Sequence, residues 1–153
     1  MWSTVIGQRR VKQTLLSALR SGRLAHAYLF YGNEGVGKDA AAIELARVIH
    51  CEGGGEDPCG TCDSCMRMAT LQHPDVRLVM PLPVGKGEQS DDAPMAKLTE
   101  SEMRTVQEEL RLKGANPYHR ISIPRANIIK ITSIREVRRE SVMSTFDGRK
   151  RIF

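Results

Sequence analysis

Apolar residues recur at the three- and four-residue spacing of one helix face in several stretches of the chain, and residues 40–49 are rich in strong helix formers. Just before residues 100–114, Thr99 and Glu102 form a capping-box pattern. The spacing and the start and stop signals predict five helices. They cover approximately residues 8–20, 40–49, 62–72, 100–114 and 133–144.

Short runs rich in β-branched and aromatic residues lie between these helices and predict strands. The predicted strands are 28–31, 75–80, 121–123 and 128–131, with a further strand beginning at Ile152. Helices that alternate with strands are typical of an α/β fold, in which helices flank a parallel sheet. We expect 28–31 to be a buried strand of that sheet, and the sheet to be incomplete because the chain stops as a strand begins.

The stretch from Gly32 to Lys38 nearly matches the phosphate-binding pattern G-x-x-x-x-G-K-[ST]. Its glycines allow positive φ angles, so that backbone N–H groups can point at phosphate oxygens. Lys38 would meet the terminal phosphates, and the N-terminus of the following helix favours anions. The candidate nucleotide-binding residues are Gly32, Asn33, Glu34, Gly35, Val36, Gly37, Lys38 and Asp39.

Asp39 departs from this pattern, because a P-loop has Ser or Thr there to bind Mg²⁺ through a hydroxyl. A carboxylate at this position would lie close to the phosphates, where like charges repel. The sequence also lacks an apolar run ending in paired acidic residues, which nucleotide-hydrolysing domains use to hold magnesium. We predict that any ATP hydrolysis is weak or absent. The alternatives are a glycine-rich turn that has no ligand and a vestigial phosphate-binding loop that is empty.

All four cysteines of the chain lie within one short segment, at the spacing C-x7-C-x2-C-x2-C. Each C-x2-C pair brings two thiolates to one side of a tight turn, which suits tetrahedral Zn²⁺. The predicted ligands are Cys51, Cys59, Cys62 and Cys65, and residues 51–65 are predicted to form a structural zinc knuckle. Because a closed four-sulfur site performs no chemistry, we name no catalytic residue. Redox-active thiols and a metal-free cluster are the alternatives.

The net charge of +5 is concentrated near the end of the sequence. Residues 125–153 hold 8 Lys/Arg against 3 Asp/Glu, whereas residues 1–124 hold 15 of each. The basic segment could face nucleic acid or an acidic partner, or it could be a solvated helix face. No apolar run approaches the roughly 20 residues of a membrane span, and no signal peptide is evident. We therefore expect a cytoplasmic protein without a membrane partner.

Residues 81–96 are polar and rich in Pro and Gly, and we expect them to bury little surface and to be mobile. Together with the helix over 100–114 they form a predicted flexible insertion at 81–120. Helices 133–144 and 8–20 lie outside it, and residues 1–153 as a whole are expected to belong to one nucleotide-binding domain.

The glycine turn and the cysteine segment together resemble the AAA+ subunits of the bacterial DNA polymerase III clamp loader. The matching residues are Val5-Ile6-Gly7-Gln8, the run 24–30, the turn 32–38 and the four cysteines between the following helix and the next strand. The resemblance covers 4–80 closely and 127–138 more loosely. It implies a P-loop NTPase (AAA+) fold with a zinc knuckle inserted, of which this chain is the N-terminal part.

Within that family, Lys38-Asp39 and residues 72–76 look like the delta-prime type rather than the ATP-hydrolysing gamma/tau type. The resemblance implies a ring member that does not hydrolyse ATP. Its partners would be the other clamp-loader subunits in a hetero-oligomeric ring, with the sliding clamp and primed DNA reached through that complex. A gamma/tau-type ATPase and a zinc-knuckle nucleic-acid binder are the alternatives. Against the latter, residues 51–65 contain no Lys, Arg or aromatic residue.

Overall fold

The computed structural model describes residues 2–89, 91–146 and 148–153. Within these ranges the chain forms five helices: α1 (Arg9–Arg20), α2 (Lys38–His50), α3 (Asp63–Met68), α4 (Glu100–Ala115) and α5 (Ile131–Glu140). All five predicted helices are confirmed, although α5 begins at Ile131 rather than at 133, and α3 and α5 end earlier than predicted. No helix among the described residues is both long and apolar enough to cross a membrane.

The predicted parallel sheet does not form in the part of the chain that the structure describes, so the α/β, P-loop (AAA+) fold class is wrong. Strand pairing in that part amounts to an isolated parallel bridge between Val76 and Ile152. It is held by hydrogen bonds from Arg77 N–H to the Ile152 carbonyl (2.9 Å) and from Ile152 N–H to the Asp75 carbonyl (2.8 Å). A single bridge of this kind does not make a sheet, which needs several paired strands to be stable.

Apart from the Val76–Ile152 bridge, the segments predicted as strands are irregular rather than paired in the described residues. Residues 28–31 are not a buried strand, since Leu29 is 87% exposed and Tyr31 is 88% exposed. Ile128 and Ile129 are also exposed, and Ile131 opens α5 instead of closing a strand. β-branched and aromatic residues fit a pleated surface well, but their presence does not supply a partner strand.

The first of two apolar clusters forms where α1 packs against α2. Its buried members are Trp2, Val5, Leu15, Leu16, Ala40, Leu45 and Val48. The Trp2 indole N–H donates to the carbonyl of Glu56 at 2.9 Å, and the Trp2 backbone N–H donates to the Asp57 carboxylate. The loop that precedes the second cysteine is therefore fastened to this cluster.

The second cluster joins the 81–98 segment to α4 through Met80, Leu82, Leu98 and Val106. Lys130 at the start of α5 also holds this segment, because its ammonium donates to Glu88 (2.6 Å) and to the Pro94 carbonyl (2.9 Å). The side chains of that ion pair are 4% and 9% exposed. The expectation that 81–96 buries little surface is therefore wrong, and its mobility stays a prediction.

The predicted capping box at the start of α4 is confirmed. The Thr99 hydroxyl accepts the N–H of Glu102 at 3.3 Å, and the Glu102 carboxylate accepts the N–H of Thr99 at 2.8 Å. Replacing Thr99 with Ala is expected to lower the free energy of unfolding by about 1 kcal/mol, because the backbone N–H of Glu102 loses its hydroxyl acceptor. Urea denaturation measures this cost. The control is Gln107→Ala, at an exposed position in the same helix, and an equal loss in both variants would contradict the prediction.

Candidate metal centre and nucleotide-binding turn

Helices α2 and α3 bring the four cysteines together. Cys51 ends α2, Cys62 is the residue before α3, Cys65 lies in the first turn of α3 and Cys59 lies in the connecting loop. All four are free thiols whose Sγ atoms lie within 4.8 Å of one another. Tetrahedral zinc with four sulfur ligands spaces the sulfur atoms about 3.8 Å apart, so this donor set fits zinc after a small contraction.

Backbone N–H groups surround the sulfur atoms. The N–H of Cys59 donates to Cys51 Sγ at 3.2 Å, that of Cys62 to Cys59 Sγ at 3.4 Å, and that of Cys65 to Cys62 Sγ at 3.4 Å. Gly53 lies against the cluster, since a Cβ added to it would be in van der Waals contact with Cys51 Sγ (3.5 Å) and Cys59 Cβ (3.4 Å). The backbone N–H groups stabilise thiolates and orient them toward a metal ion.

Cys59 and Cys65 differ in the pKa of their thiols. Hydrogen bonds from the backbone N–H groups of Thr61 and Cys62 lower the pKa of Cys59 to about 6. Burial raises the pKa of Cys65 to about 12. In the metal-free chain at neutral pH, Cys59 is therefore a thiolate and Cys65 keeps its proton, which a bound metal ion would have to displace.

Iodoacetamide is expected to alkylate Cys59 of the metal-free chain at least about tenfold faster than Cys65 at pH 7, because the thiolate is the nucleophile. The rate at Cys59 should rise as the pH passes through about 6 and then level off. Peptide mass spectrometry measures both rates. Adding Zn²⁺ before the reagent is the control and should protect both cysteines, whereas equal rates in the metal-free chain would contradict the prediction.

The glycine turn has the backbone conformation that its sequence predicts at three positions. Gly32, Gly35 and Gly37 have φ angles of 142°, 82° and 89°, and Gly37 directly precedes α2. The Lys38 ammonium folds back and donates to the carbonyls of Gly32 (3.1 Å) and Asn33 (2.9 Å). A cavity of about 330 Å³ adjoins the turn, between residues 36–38, residues 28–31 and α1. Binding of a nucleotide at residues 32–39 stays a prediction.

Asp39 is paired with a residue that the sequence analysis missed. The Lys113 ammonium donates to Asp39 Oδ2 at 2.6 Å and to the carbonyl of His119 at 2.9 Å. One signal was present in the sequence, since Lys113 follows Leu110 by three positions and so lies on the apolar edge of α4. Asp39 Oδ2 therefore accepts a hydrogen bond from a buried ammonium at the position where a P-loop has a hydroxyl for Mg²⁺.

Comparisons with known proteins agree on one family. A family model described as DNA polymerase III, delta subunit, matches residues 7–153. The DNA polymerase III subunit delta' of Bacillus subtilis (strain 168) is 45% identical over 74 residues, which are 48% of this chain and 22% of that protein. The gamma/tau subunit of Mycobacterium tuberculosis (strain ATCC 25618 / H37Rv) is 45% identical over 69 residues, 44% of this chain and 12% of that protein.

The tau subunit of Escherichia coli (strain K12) is 46% identical over 65 residues, 42% of this chain and 10% of that protein. The chain thus spans at most about a fifth of the length of these curated relatives. The family match, in contrast, extends over nearly the whole chain and confirms the resemblance to clamp-loader subunits. The chain belongs to the DNA polymerase III delta-subunit family.

Proposed function

We propose that the chain acts as a delta-prime-type subunit of the DNA polymerase III clamp loader, in the cytoplasm, with weak or absent ATP hydrolysis of its own. The observation that carries this proposal is the family match over residues 7–153. The similarity to delta', gamma/tau and tau subunits supports it. The partners are the other subunits of a hetero-oligomeric ring, and through that ring the sliding clamp and primed DNA.

The delta-prime type is preferred to the gamma/tau type because of Asp39. A gamma/tau-type ATPase needs a hydroxyl at this position to bind Mg²⁺. Here the position holds a carboxylate that accepts a hydrogen bond from Lys113 at 2.6 Å. Residues 32–39 then serve as a nucleotide-type turn that shapes the start of α2, with any nucleotide bound weakly and without turnover.

The four cysteines Cys51, Cys59, Cys62 and Cys65 bind one structural Zn²⁺ in this proposal, and residues 51–65 form the zinc knuckle. Their close sulfur atoms and the N–H donors around them support this. With all four positions filled by thiolates the ion has no open site, so its role is to tie the end of α2 to the start of α3. Residues 81–120 form an insertion that carries α4.

Co-expression with the other DNA polymerase III subunits of the same organism tests the proposal. The chain is expected to elute with them as one complex in size-exclusion chromatography, and ATP turnover by the purified chain alone should stay at background. A folded chain that never co-elutes with those subunits would contradict the clamp-loader role. Brisk turnover by the chain alone would instead favour the gamma/tau type.

A further inference from the structure

The end of α4 and the residues after it lie against the glycine turn. Asp39 and Lys113, which are 74 positions apart in the sequence, form the central contact. Tyr118 packs on Gly37, because a Cβ added to that glycine would lie 2.8 Å from the tyrosine hydroxyl and 3.2 Å from its Cε1. The same hydroxyl accepts the N–H of Ile6 at 2.8 Å. One face of the turn is therefore covered by its own chain.

The Lys113 side chain is buried beside residue 39, at the end of the glycine turn. It is only 5% exposed, whereas that of Asp39 is 64% exposed. A buried ammonium requires a counter-charge, and truncating one member of such a pair is far more damaging than losing a surface ion pair. The end of α4 is also fixed from α2, since the Arg47 guanidinium donates to the carbonyl of Gly114 at 2.5 Å. Lys113 is thus held in position by contacts on both sides.

A second ion pair on the same turn shows the difference between this contact and an ordinary surface pair. Arg120 lies 3.2 Å from Glu34, and their side chains are 86% and 84% exposed. Exposed pairs of this kind are screened by water and contribute little. This pair provides a matched control in the same part of the molecule.

We propose that Lys113 is a built-in cation for the glycine turn. Its ammonium binds the side chain at position 39, where a working P-loop binds Mg²⁺, and so keeps the turn in its formed shape without a nucleotide. A magnesium ion at that side chain would have to compete with a buried ammonium for Asp39 Oδ2. This contact with α4, here called the lock, fixes the conformation of the turn whether or not the chain is a clamp-loader subunit.

Hydrogen–deuterium exchange of the first hydrogen-bonded amides of α2 tests the lock in the purified chain, beginning with Ala41, whose N–H donates to the Gly37 carbonyl at 2.9 Å. Asp39→Asn removes the charge at an exposed position, and Lys113→Met removes the ammonium. Each variant is expected to exchange these amides at least about tenfold faster than the unmodified chain. The double variant should be no faster than the faster single variant, because both changes break one contact.

Arg120→Gln is the matched control and should leave the exchange rates within about twofold, as expected of an exposed pair. Asp39→Asn is nearly isosteric and keeps an oxygen for Lys113, so its result stands even if Lys113→Met fails to fold. Unchanged exchange in Asp39→Asn, or effects of the two single variants that add independently, would overturn the proposal.

A second measurement uses ADP as the probe. The thermal unfolding midpoint of the unmodified chain in millimolar ADP is expected to be the same with Mg²⁺ as without it, because Asp39 is already paired with Lys113. The zinc-loaded chain is used in chelator-free buffer in both arms, and metal analysis checks that the zinc content stays constant. A rise in the midpoint that requires Mg²⁺ would mean that the metal reaches Asp39, and the lock would be refuted.

Discussion

Replacing Cys65 with Ser is expected to abolish tight zinc binding and to lower the free energy of unfolding by more than about 4 kcal/mol, which is typical of losing a structural metal. Cys65 lies in the first turn of α3, is buried, and has its Sγ 3.9 Å from that of Cys59. The serine hydroxyl does not ionise at neutral pH, so it cannot replace a thiolate as a ligand. Because binding of structural zinc is coupled to folding, the loss of metal becomes a loss of stability.

Native mass spectrometry gives the metal content of this variant and of the unmodified chain, and thermal unfolding gives their stabilities. Met66→Ser is the matched control, since Met66 is the next residue, is 62% exposed and leaves all four cysteines in place. The control should keep one zinc ion per chain and nearly the full stability. An unmodified chain that is folded but contains no zinc, or a Cys65 variant as stable as the control, would refute the structural role of the metal.

Replacing Arg151 with Met is expected to lower the free energy of unfolding by about 3 kcal/mol, because it breaks a buried ion pair. Asp75 is fully buried, and its Oδ1 accepts a hydrogen bond from Arg151 Nη2 at 2.9 Å. The same guanidinium donates to the carbonyls of Glu140 (2.6 Å) and Ser144 (2.9 Å), so it joins the end of α5 to the turn after His73. The substitution therefore loosens that junction.

Urea denaturation measures the effect of Arg151→Met, with the exposed neighbour substitution Lys150→Met as the control. The double variant Asp75→Asn/Arg151→Met should recover part of the lost stability, since it no longer buries a carboxylate without its guanidinium. Equal stability of the Arg151 and Lys150 variants would show that the ion pair contributes nothing. Further destabilisation in the double variant would show that Asp75 acts mainly through its other contacts, such as the hydrogen bond from Phe146 N–H at 2.7 Å.

The helices were predictable because their determinants are local. The apolar spacing of α1 and the Thr99–Glu102 capping box lie within a few positions of one another, and both keep their meaning in the folded chain. The strands were not predictable in the same way, because a strand depends on a partner that local composition does not specify. The run 28–31 has strand-like residues, yet it lies exposed beside α1 and the turn.

The cysteine cluster could be predicted from local sequence, whereas the contact of Asp39 could not. The cysteine cluster follows from a spacing that brings sulfur atoms together through one loop and one helix start, so sequence alone located it. The partner of Asp39 comes from α4, and no local pattern connects position 39 with position 113. The departure from the P-loop pattern at Asp39 is thus visible in the sequence, whereas its contact with Lys113 is visible only in the fold.

Trp2 gives the chain an optical reporter of its own. It is the only tryptophan in the sequence, it is fully buried, and its indole N–H is hydrogen-bonded to Glu56 in the loop between Cys51 and Cys59. Indole emission is sensitive to solvent and to hydrogen bonding, so a displacement of that loop changes the colour and intensity of the fluorescence. Trp2 emission thus reports on movement of the loop between Cys51 and Cys59 with no label attached.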